Sequence, residues 1–152
     1  MIAWCGEKQW NNLFGVAHLR KTVQTAVLEE IFPYAPESVV VTNTAYKSCN
    51  DSAPLAGIQR ETKNSQLYSV VSGIRQLGII DAQTIQEVEG LQGSKADKTI
   101  SALAKFLRAK MESGRKVVLG DVWAELQQPP FGFYNTIACG VLLGFVFSFY
   151  KD

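Results

Sequence analysis

Apolar residues recur at three- and four-residue steps through much of this chain, the spacing of one buried helix face. From Glu7 to Ile31 the stripe is Trp10, Leu13, Phe14, Ala17, Val23, Val27 and Leu28. The segment Phe32-Pro33-Tyr34-Ala35-Pro36 stops it, because proline lacks an amide donor and pushes its predecessor out of the α region. Leu67, Val70, Val71 and Ile74 predict a helix over Gln66 to Leu77, capped at Asn64-Ser65 and ended by Gly78. Asp81 is the candidate cap of a short helix through Ile85 and Val88, followed by a break from Gly90 to Ser94.

The strongest pattern runs from Lys95 to Ser113. Ile100, Leu103, Phe106, Leu107 and Met111 share a face there, and Ser113-Gly114 closes the helix. Asp121 to Gln127 reads as helical with Val122, Trp123 and Leu126 inward. Asn135 or Thr136 is the candidate cap of a last helix inside the apolar run Ile137 to Tyr150. Val141, Leu142, Phe145 and Phe149 are its expected buried stripe. Gly140 and Gly144, four residues apart, share a face that admits a second helix at close range.

Three stretches resist the helical pattern. Val39-Val40-Val41 is either a short strand or part of a helix from Glu37 to Tyr46. Val117-Val118-Leu119 is either a strand or the start of the next helix. Ser48 to Gly57 is rich in turn formers and reads as a loop, the best placed for mobility or function. The expected fold is therefore mainly α. It is a compact helical domain over residues 1–152, with room for a short β-ribbon as in a winged-helix variant, and with a candidate subdivision into 1–92 and 93–152.

Composition narrows the class. The chain has 152 residues, 47% of them hydrophobic, enough for one buried core and too apolar for disorder. Its net charge of +1 steers it toward neither nucleic acid nor membrane as a whole. Cys5, Cys49 and Cys139 are odd in number and lie in no CxxC or Cys/His spacing, so free thiols in a reducing cytoplasm are expected. The start MIAWCGEKQW lacks the basic and apolar regions of a secretory signal. The run Ile137 to Tyr150 falls short of the ~20 residues a membrane-spanning helix needs, so a buried core helix is expected, and no membrane partner.

No pattern with a catalytic mechanism stands out. Gly93-Ser94-Lys95 has the wrong residue order for a phosphate loop, and no GxGxxG, HExxH, GxSxG or calcium-loop pattern occurs. The single histidine, His18, lies in the first helical stripe with no sequence partner to make it a general base. Glu29-Glu30 and Glu87/Glu89 read as helix-face charges. No catalytic, cofactor-binding or metal-binding residue is therefore nominated.

Two features remain as candidate contact sites. Between Lys95 and Lys116 stand seven basic residues, Lys95, Lys98, Lys105, Arg108, Lys110, Arg115 and Lys116, against only Asp97 and Glu112, a net +5. The rest of the chain holds eight basic and twelve acidic residues, a net −4. The basic helix is a candidate nucleic-acid-binding face, weighed against a solvated amphipathic surface. Pro129-Pro130-Phe131-Gly132 is a stiff apolar connection. With Phe133 and Tyr134 it either plugs the core or docks a neighbour.

The run from Asp121 to Ile137, Asp-Val-Trp-Ala-Glu-Leu-Gln-Gln-Pro-Pro-Phe-Gly-Phe-Tyr-Asn-Thr-Ile, leads into an apolar helix. It resembles an element of very large prokaryotic P-loop ATPases of the BREX-type phage-defence kind and their uncharacterised relatives. Their segment reads leucine, a few residues, Pro-Pro-Tyr-Gly, and then a hydrophobic helix; Phe131 stands here for the tyrosine. Ile31 to Glu37 and the helix through Leu77-Gly78-Ile79 are similar to the segment after the ATPase core in that family. The resemblance covers Glu30 to Asp152. It implies an internal connector or interaction domain of a larger protein, with the rest of that protein or another protein as partner. The family's phosphate-binding loop does not occur in this chain, so ATP binding is carried to none of its residues.

Overall fold

The chain divides at Pro33/Tyr34 into two units, and residues on either side of 92/93 belong to the same one. The computed structural model describes Ala26, residues 29–36, Val39 and residues 46–151. In the first unit Ala26 and Glu29–Ile31 are helical, and the helix ends before Pro33 as expected from its missing donor. Most of the Glu7 stripe, His18, Cys5 and Val40-Val41 lie outside the described residues, while Val39 sits in a turn.

The second unit is built from six described helices: α1 (Ser52–Gln59), α2 (Ser65–Gln76), α3 (Ile85–Glu89), α4 (Lys95–Met111), α5 (Leu119–Leu126) and α6 (Ile137–Phe147). A 3-10 turn, Ser148–Tyr150, follows α6. Among the described residues there is no strand, only an isolated bridge between Ser48 and Thr136. Of the two alternatives at Val117–Leu119, strand or start of the next helix, the second is the one that forms. Val118 is the N-cap of α5 and Leu119 its first residue.

Local chemistry explains most of the boundaries. Asn64 Oδ1 accepts from the Gln66 amide at 2.9 Å and starts α2, and Gly78, at φ +74°, follows its end. Thr84, rather than Asp81, caps α3. Ser94 and Asp97 form a reciprocal capping box at α4, satisfying two amides that would otherwise lack partners. Thr136 caps α6 by accepting from the Cys139 amide.

The helix α6 is the centre of the unit. Nine of its eleven residues are buried, so it is apolar all round rather than along one stripe. Helices α1, α2 and α4 pack on it, and α3 packs on α4. Leu67, Val70, Val71 and Ile74 of α2 and Ile100, Leu103 and Leu107 of α4 are all buried, as their spacing predicts. Phe106 and Met111 are only half-buried, at the edge of that face.

The largest departure is Ser48 to Gly57, expected as a loop. Ser52–Gln59 is a helix, with Ala53, Ala56 and Gly57 buried against α6. Pro54 occupies the first turn, where its missing amide costs no intrahelical bond. The crossing is made by absent side chains. A Cβ on Gly57 would collide with the Val141 carbonyl oxygen and lie 2.6 Å from the Phe145 amide nitrogen. A Cβ on Gly144 would collide with the Pro54 carbonyl, and one on Gly140 would stand 2.6 Å from Cys49 Sγ. Gly140 and Gly144 thus do admit a second helix, and that helix is the stretch whose composition suggests a loop. No helix among the described residues is long and apolar enough to cross a membrane.

Candidate functional site

The seven basic residues from Lys95 to Lys116 do not form one stripe. Lys95, Lys98 and Lys105 are exposed on α4. Arg108 and Lys110 are two positions apart, hence about 160° apart around the helix axis. Each meets a carboxylate of a different helix. Arg108 Nε lies 2.5 Å from Glu89 Oε1 of α3, and Lys110 Nζ lies 2.6 Å from Glu125 Oε1 of α5. Lys110 also stands 5.6 Å from the centre of the Phe106 ring. Two of the seven therefore help hold α3 and α5 to α4, and Arg115 and Lys116 stand exposed beyond the helix.

Glu87 is exposed and folds back on its own helix start, where its carboxylate accepts from the Thr84 hydroxyl. Among the described residues no group of three or more His, Cys, Asp or Glu side chains could hold a metal ion. Cys139 is buried and Cys49 half-buried, and neither is in a disulfide. Burial, and then the nearby Asp51 carboxylate, push the Cys49 thiol above its ordinary range, which disfavours the reactive thiolate.

Pro129 and Pro130 are exposed and joined by a cis peptide bond, while Phe131 and Phe133 are buried. The Phe131 ring meets Tyr34, Phe106 and Phe133 at centroid distances of 5.8, 5.6 and 5.9 Å. Gly132, at φ +67°, takes the left-handed turn that sends Phe133 inward after Phe131. The Tyr34 amide donates to the Pro130 carbonyl at 3.1 Å. The element thus spends its aromatic surface inside the second unit, where it fastens that unit's first residue.

Sequence reasoning missed Arg60. It ends α1 at φ +60°, a conformation unusual for a side chain with a Cβ. Its Nε and Nη2 donate to Ser148 Oγ at 3.1 and 3.0 Å, and Nη1 donates to the carbonyls of Ile80 and Ala82. The guanidinium also lies 4.7 Å from the Phe149 ring centre and 5.3 Å from that of Phe145. Burial lowers its pKa, and Asp81 and Glu87 oppose that shift. One cation thereby ties α1, the turn before α3 and the end of α6. A lone arginine in a polar stretch carries no periodic signal, so only the assembled fold reveals it.

A surface groove of about 390 Å³ lies between the end of α4 and α5. Lys110, Arg115 and Lys116 line it together with Asp121 and Glu125, and Val117, Val118 and Val122 supply apolar wall. Val118 and Leu119 beside it are 49% and 64% exposed. Three of the sequence-nominated cations are gathered here, next to an apolar pair that the helical pattern does not single out. Comparison of the chain with protein-family models, curated proteins and solved structures gave no match.

Proposed function

We propose that this chain is an interaction or connector domain of a larger prokaryotic ATPase, with no catalysis of its own and with phage defence as its setting. The observation that supports the reading is the use made of the Pro129-Pro130-Phe131-Gly132 element. It is the segment that carries the resemblance, and it fastens Tyr34, the first residue after the unit boundary, through Pro130 and Phe131. A rigid seat at the point where the chain enters a helical unit suits a module that transmits position between parts of a larger protein. The test is the coding sequence around these residues. A GxxxxGK[ST] phosphate loop in the same reading frame is expected, and a frame without one overturns the reading.

A second reading, a small nucleic-acid-binding module using the basic stretch 95–116, draws on the exposed Lys98 and Lys105, which are seven positions and so about two turns apart on one side of α4. It requires affinity that falls steeply with salt, because each neutralised phosphate releases counterions. An electrophoretic assay at low salt with duplex and single-stranded DNA decides it; no shifted band removes it.

A further inference from the structure

We propose that the groove between the end of α4 and the start of α5 docks an acidic peptide segment of a partner protein, anchored by one large apolar side chain over Val118 and Leu119. The inference rests on the interaction-domain reading and adds to it the surface and the chemistry of the partner.

The apolar half of the argument is the pair Val118–Leu119. Single exposed aliphatic residues are ordinary on a protein surface. Here two consecutive ones are exposed: Val118 lines a groove whose wall continues into half-buried Val117 and buried Val122, and Leu119 follows it in the chain. Val118 is also the N-cap of α5, and it offers no side-chain acceptor to the free amides of that helix start. The position is thus occupied by a residue that serves the helix poorly.

The charged half is the difference between the two walls. Lys110 is already matched by Glu125. Arg115 and Lys116 are exposed, and among the described residues no carboxylate pairs with either. An incoming carboxylate would find two unpaired cations on one side, where an arginine fork can bind it in bidentate fashion. Glu125 is neutralised by Lys110, and Asp121, which lines the same groove, would repel a continuous polyphosphate backbone at every register, while exposed aliphatic groups add nothing to phosphate contact. A peptide can set discrete carboxylates against Arg115 and Lys116, keep them clear of Asp121, and lay an apolar anchor on Val118.

The test is selection from a phage-displayed library of random twelve-residue peptides against the immobilised full chain. Enriched peptides should place aspartate or glutamate beside leucine, phenylalanine or tryptophan. The affinity of the best synthetic peptide should fall about tenfold for Arg115→Glu/Lys116→Glu, and comparably for Leu119→Ser. Lys98→Glu/Lys105→Glu, on the outer part of α4, should leave it unchanged. Circular dichroism melts of each variant separate lost binding from lost folding. Absence of enrichment overturns the proposal, as does equal binding by the double charge reversal or by Leu119→Ser. Displacement of the peptide by a twenty-nucleotide oligothymidylate in a steeply salt-dependent manner overturns it in favour of a nucleic-acid surface. These results are independent of the reading frame. Selection that succeeds without a P-loop in the frame keeps the surface and removes the ATPase; the converse keeps the ATPase and removes the surface.

Discussion

Gly144 and Gly120 both sit inside helices of the same unit, and a methyl group added to each would meet opposite surroundings. At Gly144 it would strike the backbone of Pro54, because α1 and α6 cross with their main chains in contact. At Gly120, in the first turn of α5, it would meet nothing within 4 Å. The crossing leaves no room for a methyl group at Gly57 or Gly144, so its residues are dictated by packing. The second region is open, exposes Val118 and Leu119, and holds to α4 partly through an ion pair at its edge. Small residues at the crossing serve the fold, while the residues at the start of α5 are free to serve a contact.

The largest effect that would break this contrast is the loss of a ring at the packed end. Phe145 is 1% exposed, and it lies near Phe149 and under the Arg60 guanidinium. Phe145→Ala should destabilise the unit by about 3–5 kcal/mol, the sum of lost transfer free energy and the cavity left behind. Denaturant titration with an unchanged slope measures it. A loss under about 1 kcal/mol would mean that the ring is not buried, and α6 would then be a surface helix.

Gly144→Ala follows, at about 3 kcal/mol. Overpacking usually costs about 1–3 kcal/mol, and the upper end applies because the clash is with backbone, which no side-chain rotation relieves. Gly57→Ala faces the same crossing from α1 and should behave alike. Since both substitutions wedge the same two helices apart, their effects should combine to less than their sum. Strict additivity of the two would argue that the helices are not in contact there.

Arg60 extends the comparison to polar chemistry. Arg60→Met keeps much of the apolar stem but leaves the Ile80 and Ala82 carbonyls without their donor, a cost of about 1–3 kcal/mol. Arg60→Lys should recover little of it. A single ammonium cannot span two carbonyls and a hydroxyl as the planar fork does. Thermal melts of wild type, the Met variant and the Lys variant give the order; a Lys variant as stable as wild type would show that charge alone suffices.

The helices that follow from spacing are those whose stability is amphipathic. The apolar face of α2, its Asn64 cap, the central residues of α4 and the Thr136 cap of α6 were all legible, because each is a local periodic or capping signal. The helix α1 was not legible. Serine, proline and glycine in Ser52–Gly57 read as turn formers, yet proline is harmless in a first turn and Gly57 is required by the crossing, which no local window contains. The short cap at Thr84 was missed for a milder reason, since Asp81 is an equally good capping residue by type. Of the candidate contact residues, the count of cations was legible and their distribution was not. Arg108 and Lys110 have the same chemistry as Arg115 and Lys116, and only the placement of Glu89 and Glu125 distinguishes engaged cations from free ones. Phe131 likewise has the composition of a docking residue, and its three aromatic neighbours use it within the unit.

The smallest expected effect is the most discriminating, because it reverses sign. Gly120→Ala should stabilise the unit by about 0.5–1 kcal/mol. Alanine is favoured over glycine in a helix by that much, chiefly through the smaller conformational freedom of the unfolded chain. The gain requires two conditions, and Gly120 meets both. Its surroundings are empty, and its φ is not in the left-handed region. Gly114 lies six positions earlier and is equally unobstructed, but its φ of +73° makes alanine strained there, so Gly114→Ala should destabilise. The pair separates space from conformation: one glycine can be replaced, its open neighbour cannot. Melting temperatures of the two variants measure this, a rise being expected for Gly120→Ala and a fall for Gly114→Ala. If Gly120→Ala instead lowers the melting temperature, α5 does not begin at Leu119, and Val118 would no longer stand as its exposed N-cap on the groove.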